Sequence, residues 1–278
     1  MRTIQTVKEM KAWSAQARRP LGLVPTMGCL HEGHMSLVRK CRSACRSSAV
    51  SVFVNPAQFG PSEDLNGYPR TLESDRKKLE DAGVDVLFLP GPGEIYPPGY
   101  KTYVNVEDIT SRLCGKSRPQ FFRGVATVVL KLFNIARPDL AFFGEKDWQQ
   151  LETLRTMARD LDLDVTIESL PIVREADGLA MSSRNVYLSP EQRESALSLS
   201  RSLSAAREMF RQGERSAEKI RARIREIVEK QSARIDYVSV CDPRTFVEQE
   251  KIGEKALVAL AVWVGTTRLI DNCLIERT

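Results

Sequence analysis

Short apolar runs alternate with amphipathic segments over residues 21–170. The apolar runs are typical of buried strands, whereas the segments between them have the three-to-four-residue spacing of amphipathic helices. The predicted strands are 21–26, 49–54, 86–89, 140–143 and 165–170, and the predicted helices are 34–46, 72–82, 125–136 and 148–161. Strands that alternate with helices form βαβ units on a parallel sheet. The pattern therefore predicts an α/β fold, a doubly wound, Rossmann-like domain over residues 1–171.

Residues 172–278 have a different order of elements. Ser189 precedes Pro190, which is the arrangement of an N-cap and a first helical residue, and helical spacing continues to about residue 231 with one break at Gln212-Gly213. Three β-rich runs follow at 235–240, 256–264 and 268–275. Helices followed by consecutive strands predict a smaller α+β C-terminal domain.

Composition narrows the class of protein. The chain has 278 residues, of which 42% are hydrophobic and 28% charged, as in ordinary globular proteins. No run approaches the roughly 18 apolar residues of a membrane-spanning helix, and the first apolar run is too short for a signal peptide, so we expect neither a membrane partner nor export. The six cysteines include no C-x-x-C pair, which predicts reduced thiols and a cytoplasmic location.

The net charge of +5 raises the possibility of nucleic-acid binding. Glutamates are interspersed with the basic residues of 201–230 at spacings that favour ion pairs along a helix. We therefore expect a solvated helical face and no nucleic-acid partner.

The first candidate site is His31-Glu32-Gly33-His34, which holds both histidines of the chain and lies between the first predicted strand and helix. Ligands of parallel sheets bind beyond the carboxyl ends of strands, and a helix N-terminus presents unpaired N–H groups to an anion. Two imidazoles there can donate hydrogen bonds to phosphate. Gly28 permits a tight turn, and Gly33 leaves room for a base or ribose. One alternative to phosphate binding is that the two histidines only cap the helix. Another is a zinc site, but the chain has no third histidine to complete a His-rich ligand set.

Two further polar clusters follow predicted strands. In Gly144-Glu145-Lys146-Asp147, Lys146 is placed to meet phosphate oxygens, and Asp147 to cap a helix or hold a magnesium ion through water. Met181-Ser182-Ser183-Arg184-Asn185 suits a mobile loop that closes over a triphosphate, with Arg184 meeting the charge on the leaving pyrophosphate. The alternatives are a plain helix start for the first cluster and an interdomain linker for the second.

Five blocks of the sequence stand out: 25–34 (PTMGCLHEGH), 54–59 (VNPAQF), 68–71 (YPRT), 143–150 (FGEKDWQQ) and 181–185 (MSSRN). Together, and in this order, they resemble the signature of the pantothenate synthetase (pantoate–β-alanine ligase) family, and 269–272 (LIDN) also fits. The H-x-G-H element alone is shared with the wider superfamily of adenylyl-transferring enzymes, whereas the N-P-x-Q-F and G-E-K-D-x-Q-Q blocks are much more specific.

The resemblance implies ATP-dependent condensation of (R)-pantoate with β-alanine through a pantoyl adenylate, with release of pyrophosphate and AMP. It implies that His34 is catalytic, that Gln58 and Gln150 hold pantoate, and that Gln58 also faces β-alanine. On chemical grounds we add His31, Lys146 and Arg184 as catalytic groups that offset phosphate charge. The implied ATP contacts are Met27, Gly28, Cys29, Leu30, His31, Glu32, Gly33, His34, Gly144, Glu145, Lys146, Asp147, Val173, Met181, Ser182, Ser183 and Arg184.

The resemblance also implies a magnesium-dependent cytoplasmic homodimer. Its N-terminal domain, residues 1–171, would bind the nucleotide and pantoate, and residues 172–278 would form a smaller lid. One block departs from the family: 118–124 commonly reads R-P-G-H-F-R-G, and this chain has Gln120-Phe121 in place of the Gly-His pair. A role of that histidine therefore cannot be transferred to this chain.

Three other functions remain open on the sequence. A nucleotidyltransferase of the same superfamily would share H-x-G-H but gives no reason for the paired Gln58 and Gln150. An aminoacyl-tRNA-synthetase-like enzyme would need a tRNA-binding surface, and the chain has no appended basic domain. A non-enzymatic RNA-binding protein is indicated only by the basic pI of about 8.9.

Overall fold

The computed structural model describes residues 1–61 and 63–277, and these form two compact units. The first unit comprises Met1–Val106, Arg118–Glu145 and Gln149–Ile172. The second comprises Glu107–Ser117, Lys146–Trp148 and Val173–Thr278. Two short segments that precede residue 172 therefore group with the C-terminal part, which no feature of the hydrophobic pattern indicates.

The first unit is built on a six-stranded parallel sheet with the order β1-β4-β3-β2-β5-β6, which confirms the predicted Rossmann-like fold. Each pairing along that order is parallel. The strands are β1 (Arg2–Ile4), β2 (Leu21–Thr26), β3 (Ser47–Val52), β4 (Val86–Phe88), β5 (Leu140–Gly144) and β6 (Thr166–Leu170).

Helices connect and cover these strands. Apolar residues of α2 and α3 pack with β2, β3 and β5 in one cluster that includes Val38, Leu79 and Phe142. In chain order the helices of both units are α1 (Val7–Gln16), α2 (Glu32–Ala44), α3 (Leu72–Asp81), α4 (Pro92–Ile95), α5 (Cys114–Ser117), α6 (Phe121–Ala136), α7 (Trp148–Asp160), α8 (Pro190–Arg211) and α9 (Ala217–Glu229).

Several elements and boundaries differ from the sequence-based prediction. The short helices α4 and α5 were not predicted, and α6 begins at Phe121, four residues before the predicted helix. The pattern missed β1 and α1, because each buries very little: Ile4 is the buried residue of β1, and Met10 and Ser14 are those of α1. β3 begins at Ser47, two residues before the predicted strand. Ser48 is a buried strand residue whose N–H and hydroxyl both donate to Asp85 at 2.8 Å, and hydropathy alone does not reveal such a polar start.

The order of strands fixes where a ligand binds. From β2 the chain proceeds to β3 and β4 on one side, and later to β5 and β6 on the other, so the sequence of strands reverses between β2 and β5. In open α/β sheets the binding crevice lies beyond the carboxyl ends of the strands at this switch point. The His31–His34 motif follows β2 and Gly144 ends β5, so both motifs start from that edge.

The second unit contains the antiparallel sheet β7 (Arg234–Cys241), β8 (Lys255–Val264) and β9 (Thr267–Glu276), in the order β7-β8-β9. α8 and α9 contribute to one large cluster with this sheet, which confirms the predicted α+β arrangement. Glutamates on α8 and α9 form ion pairs with basic residues, as predicted. On α9, Lys230 and Arg223 lower the pKa of Glu226 to about 2.

Among the residues that the structure describes, we find no helix with both the length and the apolar character needed to cross a membrane.

Helix α8 provides a test of the predicted N-cap. Ser189 Oγ accepts from Gln192 N at 3.2 Å, and Ser189 N donates to Gln192 Oε1 at 3.1 Å. We expect Ser189→Ala to lower the free energy of unfolding by about 1 kcal/mol in urea titrations, because it removes this cap. Ser204 on the same helix is exposed, so Ser204→Ala should leave that free energy unchanged or slightly higher. Equal losses in the two variants would contradict a capping role.

Candidate active site

The turn after β2 is held in place by a buried carboxylate. Gly28 and Cys29 have positive φ values of 87° and 50°, which turn the chain sharply before α2. Asp75 on α3 is 1% exposed and accepts from Cys29 N and Leu30 N, each at 2.8 Å. Asp75 is a site residue that sequence reasoning missed, although an acidic residue at a buried helical position was a usable signal.

Both histidines cap helix α2. His31 Nδ1 accepts from Gly33 N at 3.2 Å, and His34 Nδ1 accepts from His31 N at 3.3 Å. An Nδ1 atom that accepts carries no hydrogen, so the neutral ring has its hydrogen on Nε2 and donates from there. The ring centroids are 4.0 Å apart, which makes the two imidazoles neighbours. The capping alternative is therefore right about the Nδ1 atoms, and it is compatible with phosphate binding through Nε2.

Gln58 lies in a 3₁₀ helix, Pro56–Gln58, that follows β3, and it is only 9% exposed. Its Oε1 accepts from Asn55 Nδ2 at 3.1 Å, and its Nε2 donates to Met27 Sδ at 3.0 Å. Asn55 in turn accepts from the Tyr96 hydroxyl at 2.9 Å. The structure thus brings Met27 and Gln58 together and fixes the amide orientation of Gln58 through Asn55, a residue to which the sequence motifs assigned no role.

The block that departs from the family supports the Gln58 turn. Arg118 donates to Gln58 O at 3.2 Å and pairs with both Glu63 carboxylate oxygens at 2.7 and 2.5 Å. Its guanidinium lies 3.7 Å from the centroid of the Phe121 ring. Phe121 thus stacks on Arg118, while Gln120 is exposed.

Residues after β5 divide between the units. Glu145 belongs to the first unit, where its Oε1 accepts from Ser169 Oγ at 3.0 Å. Lys146 belongs to the second unit and is partly buried. Burial lowers the pKa of Lys146, the charge of Arg184 lowers it further, and the carboxylates of Asp147 and Asp271 act in the opposite direction. Lys146 and Arg184 are therefore electrostatic neighbours, as two groups acting on one polyphosphate should be.

The segment expected to be a phosphate loop forms a 3₁₀ helix, Ser183–Tyr187. Ser182 is its N-cap, and its Oγ accepts from Arg184 N at 3.3 Å. Met181 N donates to Val173 O at 3.0 Å, so two predicted ATP contacts that are distant in sequence are paired. Within the second unit the structure thus brings Val173 and Met181 together.

Gln150 lies in the first turn of α7, as predicted, and is partly buried. Its neighbour Gln149 is the more buried of the pair at 7% exposure.

Within residues 1–61 and 63–277, no three His, Cys, Asp or Glu side chains are grouped so that they could hold one metal ion.

Gly124 tests how tightly helix α6 supports the Gln58 turn. A Cβ added there would overlap the carbonyl of Ala57 and lie 2.7 Å from Gln58 N. Because backbone atoms cannot move aside cheaply, we expect Gly124→Ala to lower the free energy of unfolding by about 1–3 kcal/mol in urea titrations. Gly93, in α4 of the same unit, has nothing within 4 Å of such a Cβ, so Gly93→Ala serves as the control. A Gly124→Ala protein as stable as this control would show that the turn is not closely packed.

Known proteins match the chain over almost its whole length. The model of the family "Pantoate-beta-alanine ligase" matches residues 2–274. The pantothenate synthetase of Heliobacterium modesticaldum is 55% identical over 280 residues, covering 99% of this chain and 100% of that protein.

Two solved structures agree with this match. The pantothenate synthetase of Thermus thermophilus has a TM-score of 0.94 at 47% identity, over 98% of this chain and 99% of the other. The pantoate-beta-alanine ligase of Francisella tularensis, in a complex with beta-gamma ATP and beta-alanine, has a TM-score of 0.81 at 33% identity, over 99% and 97% of the two chains. The chain belongs to the pantoate-beta-alanine ligase family.

Proposed function

We propose that the chain performs its family's reaction in two steps, through an enzyme-bound pantoyl adenylate. The reaction is the ATP-dependent condensation of (R)-pantoate with β-alanine to pantothenate, with release of AMP and pyrophosphate. The observation that carries the proposal is the match to this ligase family over residues 2–274. The Francisella tularensis relative, whose structure contains beta-gamma ATP and beta-alanine, supports these two substrates. The match also favours this reaction over a nucleotidyltransferase, a tRNA-charging enzyme and an RNA-binding protein.

In the first step a carboxylate oxygen of pantoate forms a bond to the α-phosphorus of ATP. The bond from that phosphorus to the bridging oxygen breaks, and pyrophosphate leaves. An anion attacks a polyanion here, so the protein contributes mainly positioning and charge neutralisation. We assign His31 and His34 to the phosphates through their Nε2–H groups, and Lys146 and Arg184 to the charge that develops on pyrophosphate.

In the second step the unprotonated amine of β-alanine attacks the acyl carbon of the adenylate. The bond from that carbon to the AMP oxygen breaks, AMP leaves, and the nitrogen loses a proton. No step requires a nucleophilic side chain, which agrees with the raised pKa values of the buried thiols of Cys41 and Cys241.

Pantoate carries two hydroxyls and a carboxylate, and we assign its binding to Gln58 and Gln150, with Gln58 also facing β-alanine. An amide both donates and accepts, and it stays uncharged beside a carboxylate that must attack phosphorus. The buried, hydrogen-bonded position of Gln58 supports this assignment. ATP contacts are assigned to 27–34, 144–147, Val173 and 181–184.

We also propose that the protein is a cytoplasmic homodimer. Residues 1–171 bind nucleotide and pantoate in this proposal, and residues 172–278 act as a lid.

We further propose that Mg²⁺ accompanies ATP. Mg²⁺ prefers phosphate oxygens and water to dedicated protein cages. Because the described residues contain no group of three potential ligands, phosphate oxygens and water fit it best. When bound, the ion neutralises charge on the β- and γ-phosphates.

The order of steps gives the main test of the proposed function. All four catalytic groups address phosphates, so adenylation should proceed without β-alanine. We expect labelled pyrophosphate to exchange into ATP when pantoate is present and β-alanine absent, and exchange should stop when pantoate is omitted. Exchange that requires β-alanine would contradict an adenylate formed first.

His34 has two roles that one substitution can separate. In His34→Asn the amide oxygen can replace Nδ1 as the acceptor for His31 N, but the Nε2–H donor is lost. We expect turnover to fall about 10²- to 10³-fold, as for the loss of one preorganised donor, with unchanged stability to urea.

His34→Ala loses both groups and provides the comparison. It should show the same loss of turnover together with lower stability. Near-normal turnover in His34→Asn would mean that His34 acts only as a helix cap.

A further inference from the structure

Two buried polar residues lie at the centre of strand β9, between Ile270 and Cys273. Asp271 is 2% exposed and Asn272 is 5% exposed, and their strand neighbours Leu269, Cys273 and Ile275 are also buried. A buried carboxylate is costly unless charged or N–H groups bond to it. The partners of these two side chains therefore show what they hold in place.

Asp271 holds the turn that leads into the predicted phosphate-binding residues 181–184. Its two oxygens accept from Arg174 Nη1 and Nη2 at 2.7 and 3.0 Å. Arg174 Nη1 also donates to Gly178 O at 3.1 Å, and Arg174 forms a β-bridge with Ala180. The carboxylate thus fixes the turn whose two ends are Val173 and Met181.

Asn272 holds the other predicted phosphate-binding residue of this unit. Its Nδ2 donates to Lys146 O at 2.8 Å, and its own N–H donates to Asp271 Oδ1 at 2.8 Å. The main chain of Lys146 is therefore attached to the strand that carries Asp271.

Charge supports the same arrangement. Burial lowers the pKa of Lys146 and the neighbouring Arg184 adds to that effect, whereas the Asp271 carboxylate raises it. Asp271 therefore helps to keep the Lys146 ammonium protonated.

We propose that Asp271 and Asn272 are positioning residues that set Lys146 and Arg184 in place to bind the pyrophosphate part of ATP. The inference rests on the proposed function, because it takes Lys146 and Arg184 to be the groups that meet pyrophosphate. Asp271 and Asn272 act through their neighbours and do not touch the reacting atoms.

Asp236 supplies a matched control in the same unit. It lies on β7, accepts from Arg268 at 2.7 and 3.0 Å and from Ser117 Oγ at 2.9 Å, and its side chain is 18% exposed. Asp236→Asn therefore removes the same charge from a similar arginine pair that has no bond to Lys146 or to Arg174.

The sign of the change separates positioning from simple charge. If Asp271 were only a negative charge near two cations, Asp271→Asn would strengthen the binding of an anion. If it positions them, the same substitution weakens binding. Asn272→Ala changes no charge and removes the side-chain bond to Lys146 O, so it decides the question even if Asp271→Asn does not fold.

The test is calorimetric titration of the full chain with inorganic pyrophosphate at fixed Mg²⁺, together with the KM for pantoate in pyrophosphate exchange. We expect Asp271→Asn and Asn272→Ala each to weaken pyrophosphate binding about tenfold, the loss of one charge-assisted contact, with KM for pantoate unchanged. Asp236→Asn should change neither quantity.

Three results would overturn the inference. The first is unchanged or tighter pyrophosphate binding in both variants. The second is a rise in the KM for pantoate equal to the loss of pyrophosphate affinity, and the third is the same loss of pyrophosphate affinity in Asp236→Asn. Lys146→Ala, measured in parallel, separates this inference from the proposed function. If Lys146→Ala itself binds pyrophosphate normally, the assigned role of Lys146 is wrong; if it binds weakly while the two variants bind normally, only the positioning role is wrong.

Discussion

The candidate site exists because β2 pairs in parallel with β3 on one side and with β5 on the other. This pairing places the carboxyl ends of β2 and β5 at one edge of the sheet, where the strand order reverses. The chain leaves β2 into the turn that contains both histidines, and leaves β5 into the residues that lead to Lys146. Proposed catalytic groups more than a hundred residues apart in the chain thus follow adjacent strands.

Buried carboxylates hold the polar segments that follow. Asp75 accepts from two backbone N–H groups of the turn before α2, and Asp271 accepts from Arg174 and from the backbone of β9. Each carboxylate is almost fully removed from water, so its partners must be in place for the fold to tolerate it. The same requirement makes each a rigid support for residues that we propose to meet a charged substrate.

The histidines and the Arg118 region show how one residue serves structure and chemistry together. The Nδ1 atoms of His31 and His34 complete the first turn of α2, and this leaves the hydrogen of each ring on Nε2. The ring of Phe121 stacks on the guanidinium of Arg118, which binds the Gln58 carbonyl. This chain therefore supports the Gln58 turn through an aromatic contact.

The spacing of hydrophobic residues predicted the parallel sheet and the α+β fold of the C-terminal part. Capping residues and local motifs predicted the helix start at Ser189 and the blocks that carry the candidate site. These signals were sufficient because they are properties of neighbouring positions in the chain. They were not enough for β1 or α1, since elements that bury so few apolar side chains leave a weak pattern. The three-dimensional fold alone revealed that Asn55 orients Gln58, that Asp75 holds the turn before α2, and that Asp271 and Asn272 support Arg174 and Lys146. Most of those bonds join residues far apart in the chain, and an isolated Asp or Asn in a sequence gives no sign of the distant N–H group that will make its burial possible.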